Sequence, residues 1–208
     1  MKRNTILIFS MLALLLASMP AEAGGNANFT LGMRQLQDDE IFDTTDSQPM
    51  FGITVDFGPG EWPVSWAVGY YFSAVKDDVA LDVDLNGTPG VLKGEATSAV
   101  AELSFGVRKT WRPGRVRPFI EGGVAAVIAG LDVSAPQGSA DDSDTGAGGY
   151  VQAGVYWRIG SRFNLGLNAR ALFGSSIDLS DTFSSTFSDG NADYVAGGLV
   201  LGWGWPAE

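Results

Sequence analysis

The sequence contains no cysteine and no histidine. The first absence removes disulfides and thiolate metal sites. The second removes the commonest general base and the usual metal ligand. Lysine is scarce too: only Lys2, Lys76, Lys93 and Lys109 occur, in a chain of formal net charge -11. A nucleic-acid partner calls for an extended basic footprint, and none is present, so no nucleic acid is expected. After the first residues, no stretch reaches the ~18 unbroken apolar residues that mark a spanning helix. Gly58-Pro59-Gly60 is a turn rather than a phosphate loop, because no lysine or helix start follows it. No cofactor and no metal site is predicted.

Glycine and apolar residues are plentiful instead. The 208 residues include 28 glycines and are 45% hydrophobic. Many of the glycines fall inside apparent strands, which would serve a helical protein poorly. Residues 1–23 read as a secretory signal peptide. Lys2 and Arg3 give a positive start, Ile6 to Ala17 is nearly all apolar, and Ala21-Glu22-Ala23 supplies small residues at a cleavage site. Cleavage after Ala23 leaves one domain, 24–208.

In that domain the apolar residues recur with a period of two. Phe29, Leu31 and Met33 alternate with Thr30, Gly32 and Arg34, and Leu103, Phe105 and Val107 alternate with Glu102, Ser104, Gly106 and Arg108. The same pattern recurs near residues 51–57, 64–73, 120–128, 150–159, 163–173 and 195–203, with Val100, Val127 and Leu172 as exceptions on the polar side. The links alternate in length. Residues 58–62, 112–115 and 161 are tight, while 38–48, 76–94, 132–146 and 175–190 are read as long polar loops. The expected fold is all-β: an eight-stranded antiparallel up-and-down barrel. Its strands are of about 10 residues, enough to cross a bilayer's apolar core when tilted.

Alternation does not say which face looks outward. The polar face is mostly Gly, Ser, Ala, Asn and Thr, which suits a narrow lumen better than a water-exposed sheet. Trp62, Trp111, Trp157, Trp203 and Trp205 all fall near a tight turn or the C-terminus, with Trp66 slightly deeper. That places them on one rim, as an interfacial aromatic girdle requires. The apolar face is therefore expected to meet lipid, and the strand edges must close, because hydrocarbon cannot satisfy them.

On these grounds the mature chain resembles the small outer-membrane β-barrels typified by the OmpA transmembrane domain, OmpX and OmpW. Gly198, Leu201 and Trp203 fit the family's C-terminal assembly signal, although Pro206-Ala207-Glu208 follows where the family usually stops. The resemblance implies integral location in the outer membrane of a Gram-negative-type bacterium. It also implies contact with outer-membrane lipid and lipopolysaccharide, and recognition of the C-terminal strand by the barrel-assembly machinery. Lipid-modifying barrels of this kind rely on a histidine-assisted hydroxyl, which this chain lacks, so no enzyme is expected.

Charges on the polar face suggest a lumen network. Glu102, Arg170 and Arg34 fall at matched height, with a lower layer of Glu121, Arg158, Arg108, Arg117 and Asp56. Opposite charges buried together should pair, because an unpaired one is expensive. Pairing of Glu102 with Arg34, Arg170 or both would block ion flow; hydration in a wet lumen is the alternative. Arg108, Lys109, Arg112, Arg115 and Arg117 bracket one tight turn, fit for anionic headgroups or for lumen pairing. The loop acids include Asp38, Asp39, Glu40, Asp43, Asp46, Asp77, Asp78, Asp82, Asp84 and the run Asp141-Asp142-Ser143-Asp144. They offer weak cation or external-ligand binding, or simple solvation. The leading functional reading is a non-enzymatic barrel with a structural or surface-interaction role and a charge-plugged lumen. A small-solute or hydrophobic-compound channel of OmpW type and a soluble periplasmic ligand-binding barrel are the alternatives.

Overall fold

The computed structural model describes residues 24–37, 47–59, 62–85, 88–112, 114–135, 138–177 and 190–205. Residues 1–23, expected to be a signal peptide, lie outside the described residues, as do Asp38, Asp39, Glu40, Asp43, Asp46 and Pro206-Ala207-Glu208. The strands are β1 (Gly24–Leu36), β2 (Ser47–Gly58), β3 (Ser65–Leu85), β4 (Thr88–Thr110), β5 (Val116–Ala135), β6 (Gly138–Ile159), β7 (Phe163–Phe173), β8 (Ser176–Ile177), β9 (Gly190–Asn191) and β10 (Tyr194–Trp205). Eight of them close into a barrel in the order β1-β10-β7-β6-β5-β4-β3-β2, while β8 and β9 pair separately. Every barrel pairing is antiparallel, and the seam joins β1 to β10 from Gly25↔Trp205 to Leu36↔Tyr194. Closure leaves no open edge where all eight strands pair.

The alternation settles the faces. Leu31, Val124 and Leu199 point outward and are 58%, 65% and 58% exposed, whereas Asn28, Arg34 and Arg108 point inward and are 0% exposed. A sheet that shows leucine outside and buries arginine inside is inverted relative to a soluble barrel, and it matches lipid outside. Leu199 lies midway along β10, flanked by Leu31 of β1 and Leu167 of β7. Leu199→Arg should cost about 2–4 kcal/mol of folding stability in phospholipid vesicles, the penalty for a cation at bilayer mid-depth. Urea titration followed by tryptophan emission checks this; an unchanged midpoint would mean that this face is not in hydrocarbon.

Two expected loops are strands. The segment 76–94 continues β3 and β4 in register, from Lys76↔Thr97 to Leu85↔Thr88. The segment 132–146 continues β5 and β6, from Asp132↔Asp141 to Ala135↔Gly138. The acids in these segments suggested loops. Yet Val79, Leu81, Val83 and Leu85 alternate with Ala80, Asp82 and Asp84, so the period of two persists. A strand with water on both faces tolerates acids. The side chains of Asp78, Asp82, Asp84, Asp141 and Asp142 lie outside what the structure describes.

The expected strand length of about ten residues therefore holds only for part of the cylinder. Strand β7 has 11 residues and β4 has 23. At ~3.3 Å per residue and a tilt of roughly 40°, the first spans about 28 Å and the second about twice that. The four long strands β3–β6 rise together past the rim formed by β1, β2, β7 and β10.

Candidate functional site

The lumen holds two ion clusters, one above the other. Glu102 of β4 anchors the upper one. Its carboxylate accepts hydrogen bonds from Arg170 Nη2 of β7 and from the Tyr194 hydroxyl of β10. Arg34 Nη2 of β1 lies 3.6 Å away, an ion pair rather than a hydrogen bond. Arg34 Nη1 donates instead to Ser73 Oγ at 2.9 Å. Arg170 directs its remaining donors to near neighbours: Nε donates to the Tyr194 hydroxyl at 2.8 Å and Nη1 to Gln152 Oε1 at 2.9 Å.

Aromatic faces hold these cations in plane. The Arg170 guanidinium lies 3.8 Å from the Tyr150 ring centroid and 4.4 Å from that of Tyr71. Arg34 lies 4.1 Å from the Tyr194 ring. Desolvated contacts of this kind are worth roughly 2 kcal/mol each.

Arg108 of β4 anchors the lower cluster. Its Nε donates to Glu121 Oε2 at 2.6 Å, and its Nη1 donates to Asp56 Oδ1 at 2.8 Å and to the Tyr156 hydroxyl at 2.9 Å. The Phe119 and Tyr156 rings stack at 4.6 Å, with Arg108 4.7 Å above the former. Asn26 donates to Asp56 Oδ2 at 2.9 Å, and the Tyr150 hydroxyl donates to Glu121 Oε1 at 2.8 Å. Tyr150 thereby touches both clusters, its ring under Arg170 and its hydroxyl on Glu121. The upper cluster is formally +1 and the lower one formally -1, so the two are neutral only as a pair.

Toward the long-strand end, an apolar layer lies beside the upper cluster. Val100, Val127 and Leu172, exceptions to the polar pattern, are buried there with Leu36 and Ala129. Val100 and Leu172 sit two residues beyond Glu102 and Arg170 on the same strand faces. They exclude water from that side of the ion pairs and strengthen them.

Arg117 and Arg158 are not part of the lower cluster. Both are half-exposed at the tight-turn end and bond to turn carbonyls: Arg117 Nε donates to Gly114 O at 3.2 Å, and Arg158 Nη2 donates to Ser161 O. Their inward parity is as expected. They lie so near the strand ends that the barrel opens to water before their guanidiniums reach a carboxylate.

The tryptophans sit at that same end. Trp62, Trp66, Trp111, Trp157 and Trp203 are exposed between 39% and 53%, and Trp66 stacks on Phe105 at 5.5 Å. Trp205 differs in being half-buried. Its ring covers Gly25 so closely that a Cβ there would meet it at 2.6 Å.

No family model matches the chain, and no curated protein matches it. Solved structures do. Ail, the attachment invasion locus protein of Yersinia pestis, solved in complex with the heparin analogue sucrose octasulfate, aligns over 88% of this chain and 99% of its own, with TM-score 0.56 and 10% identity. A major outer membrane protein from Thermus thermophilus aligns over the same shares, with TM-score 0.53 and 14% identity. The fold is that of a small outer-membrane barrel.

Within this outer-membrane barrel fold, the sequence reading overlooked the tyrosines. Four of the five, Tyr71, Tyr150, Tyr156 and Tyr194, point into the lumen and are at most 2% exposed. The signal was available, since each shares parity with the small polar residues of its strand. A large ring in a narrow barrel needs a gap opposite, and glycine supplies it: a Cβ at Gly52 would meet Tyr71 Cδ1 at 2.4 Å, and one at Gly106 would meet the Tyr150 hydroxyl at 2.4 Å. Gly52→Val should displace Tyr71 and loosen the upper cluster, lowering stability by about 1–3 kcal/mol through overpacking. The urea midpoint reads this out, and a midpoint equal to that of the unaltered barrel would refute it.

Proposed function

We propose that the protein is an integral outer-membrane barrel of a Gram-negative-type bacterium, non-enzymatic, with a plugged lumen and a structural or surface-interaction role. The filled lumen carries this reading. Three arginines and three carboxylates are paired across it, four tyrosines fill the space between them, and an apolar layer lies beside them. A hydrated ion passing through would have to break buried charge pairs that cost several kcal/mol to separate.

The contact surface is the raised part of β3–β6. Its described acids, Asp77, Glu95, Asp132 and Asp144, offer an external ligand a polar, negatively charged face, and lipopolysaccharide is the neighbour at that level. The strand β10, whose outward face carries Leu199, Leu201 and Trp203, is the segment for the assembly machinery to recognise. A soluble periplasmic barrel is disfavoured by the continuous apolar outer face.

Planar-bilayer recording of the purified barrel tests the plug. No steady single-channel currents are expected. Currents of stable amplitude would favour the small-solute or hydrophobic-compound channel, and recovery from the soluble periplasm on cell fractionation would favour the soluble barrel.

A further inference from the structure

The tight-turn end of the barrel opens into a cavity of about 540 Å³. Among the described residues its wall carries Arg108, Lys109, Arg112, Arg117 and Arg158, and no carboxylate. This is a marked excess in a chain of net charge -11. Arg108 forms the floor, and its charge is already met by Asp56 and Glu121. The other four have no carboxylate within 4.0 Å among the described residues. Arg117 feels both Arg158 and Arg112 as like charges. The backbone bonds to Gly114 O and Ser161 O hold Arg117 and Arg158 in place without neutralising them. A concave wall of one sign focuses potential and gathers counter-ions.

Ion pairing does not explain this arrangement: of these four, only Arg112 acts on a carboxylate, that of Asp56 behind Arg108, and at longer range than an ion pair. Like charges gathered at one mouth repel, and side chains of this length could splay into water. We propose that this vestibule binds a phosphate group, held chiefly by Arg112, Arg117 and Arg158. Guanidiniums suit this ligand, because each offers a planar fork of donors to phosphate oxygens. Trp62 and Trp111 also line the mouth. These girdle residues put the opening at headgroup level, so the phosphate has two sources to come from: a lipid headgroup of the adjoining leaflet or a soluble anion. The site is independent of the plug, and only its lipid arm rests on the membrane reading.

The test uses the whole barrel with two probes. Inorganic pyrophosphate is titrated into protein in zwitterionic micelles. Separately, the protein is placed in nanodiscs of phosphatidylglycerol or of phosphatidylcholine, and retained lipid is counted by native mass spectrometry. Calorimetry reads pyrophosphate binding in every variant, and the Nε–H resonances of Arg117 and Arg158 locate either ligand in the unaltered protein. Binding should weaken about tenfold or more in the Arg117→Gln/Arg158→Gln variant, and should weaken with added salt. Arg115→Gln, in the same turn but off the cavity wall, should bind as the unaltered protein does. Heat-modifiable migration confirms folding, and Arg117→Lys/Arg158→Lys, which keeps the charge, serves if the glutamine variant does not fold. Binding of phosphatidylglycerol alone identifies a lipid phosphate, and binding of pyrophosphate identifies a soluble one. Binding of neither probe, or equal binding by the unaltered protein and the double variant, overturns the proposal.

Discussion

Glu102→Ala should lower the stability of the folded barrel by about 3–5 kcal/mol, the cost of leaving buried cations without their counter-charge. The carboxylate is the only acidic group paired with Arg34 and Arg170 among the described residues, and both guanidiniums are fully enclosed. Neither can swing to water, since Arg170 is stacked between Tyr71 and Tyr150 and Arg34 lies against the Tyr194 ring. Glu102→Gln should cost less, because the amide oxygen still accepts hydrogen bonds although the charge is gone. Glu102→Ala combined with Arg170→Met should recover part of the loss, since it removes one of the two stranded charges. Urea midpoints in vesicles, with tryptophan emission as the probe, rank these variants. If Glu102→Ala unfolds at the midpoint of the unaltered barrel, the charges are hydrated and the lumen is wet.

Arg108 supplies the second large effect. Arg108→Met should destabilise by about 3–5 kcal/mol, because Asp56 and Glu121 would then face each other in the same enclosed space. Lysine should not rescue it. The fork of Arg108 serves three acceptors at once: Glu121 through Nε, and Asp56 and the Tyr156 hydroxyl through Nη1. An ammonium is a point charge with a different reach. Arg108→Lys should retain less than half of the lost stability, read from the same urea curves. A lysine variant indistinguishable from the unaltered protein would show that charge alone, not the fork, holds this layer.

These two residues also show how far the sequence could be read. The parity of Glu102 and Arg108 put both inside the barrel, and the burial cost of charge implied partners for them. Parity does not give depth. Arg117 and Arg158 share the inward face, yet they sit one or two residues from a turn, where the sheared strand ends part and water enters. Strand ends are set by cross-strand register, which a single strand does not reveal. The two long hairpins were missed for a related reason. Aspartates at alternating positions signal a loop if the strand is assumed to end with the membrane, and signal a solvated sheet if it does not. Val100, Val127 and Leu172 looked like faults in the pattern. They are a layer, visible only once β4, β5 and β7 are wrapped around one lumen. The tyrosines required the same step, since a ring inside a cylinder makes sense only with the glycine that faces it.

The β1–β10 seam has a consequence for how the molecule is made. Strand β1 pairs with β10, and Gly25 cannot meet Trp205 until all the intervening residues are in place. Joining strands so far apart in sequence is slow. Until that pairing forms, the sheet has two raw borders and a greasy outer face. A copy lacking β10 would leave β1 and β7 without their shared partner, an unclosed ribbon rather than a weaker barrel.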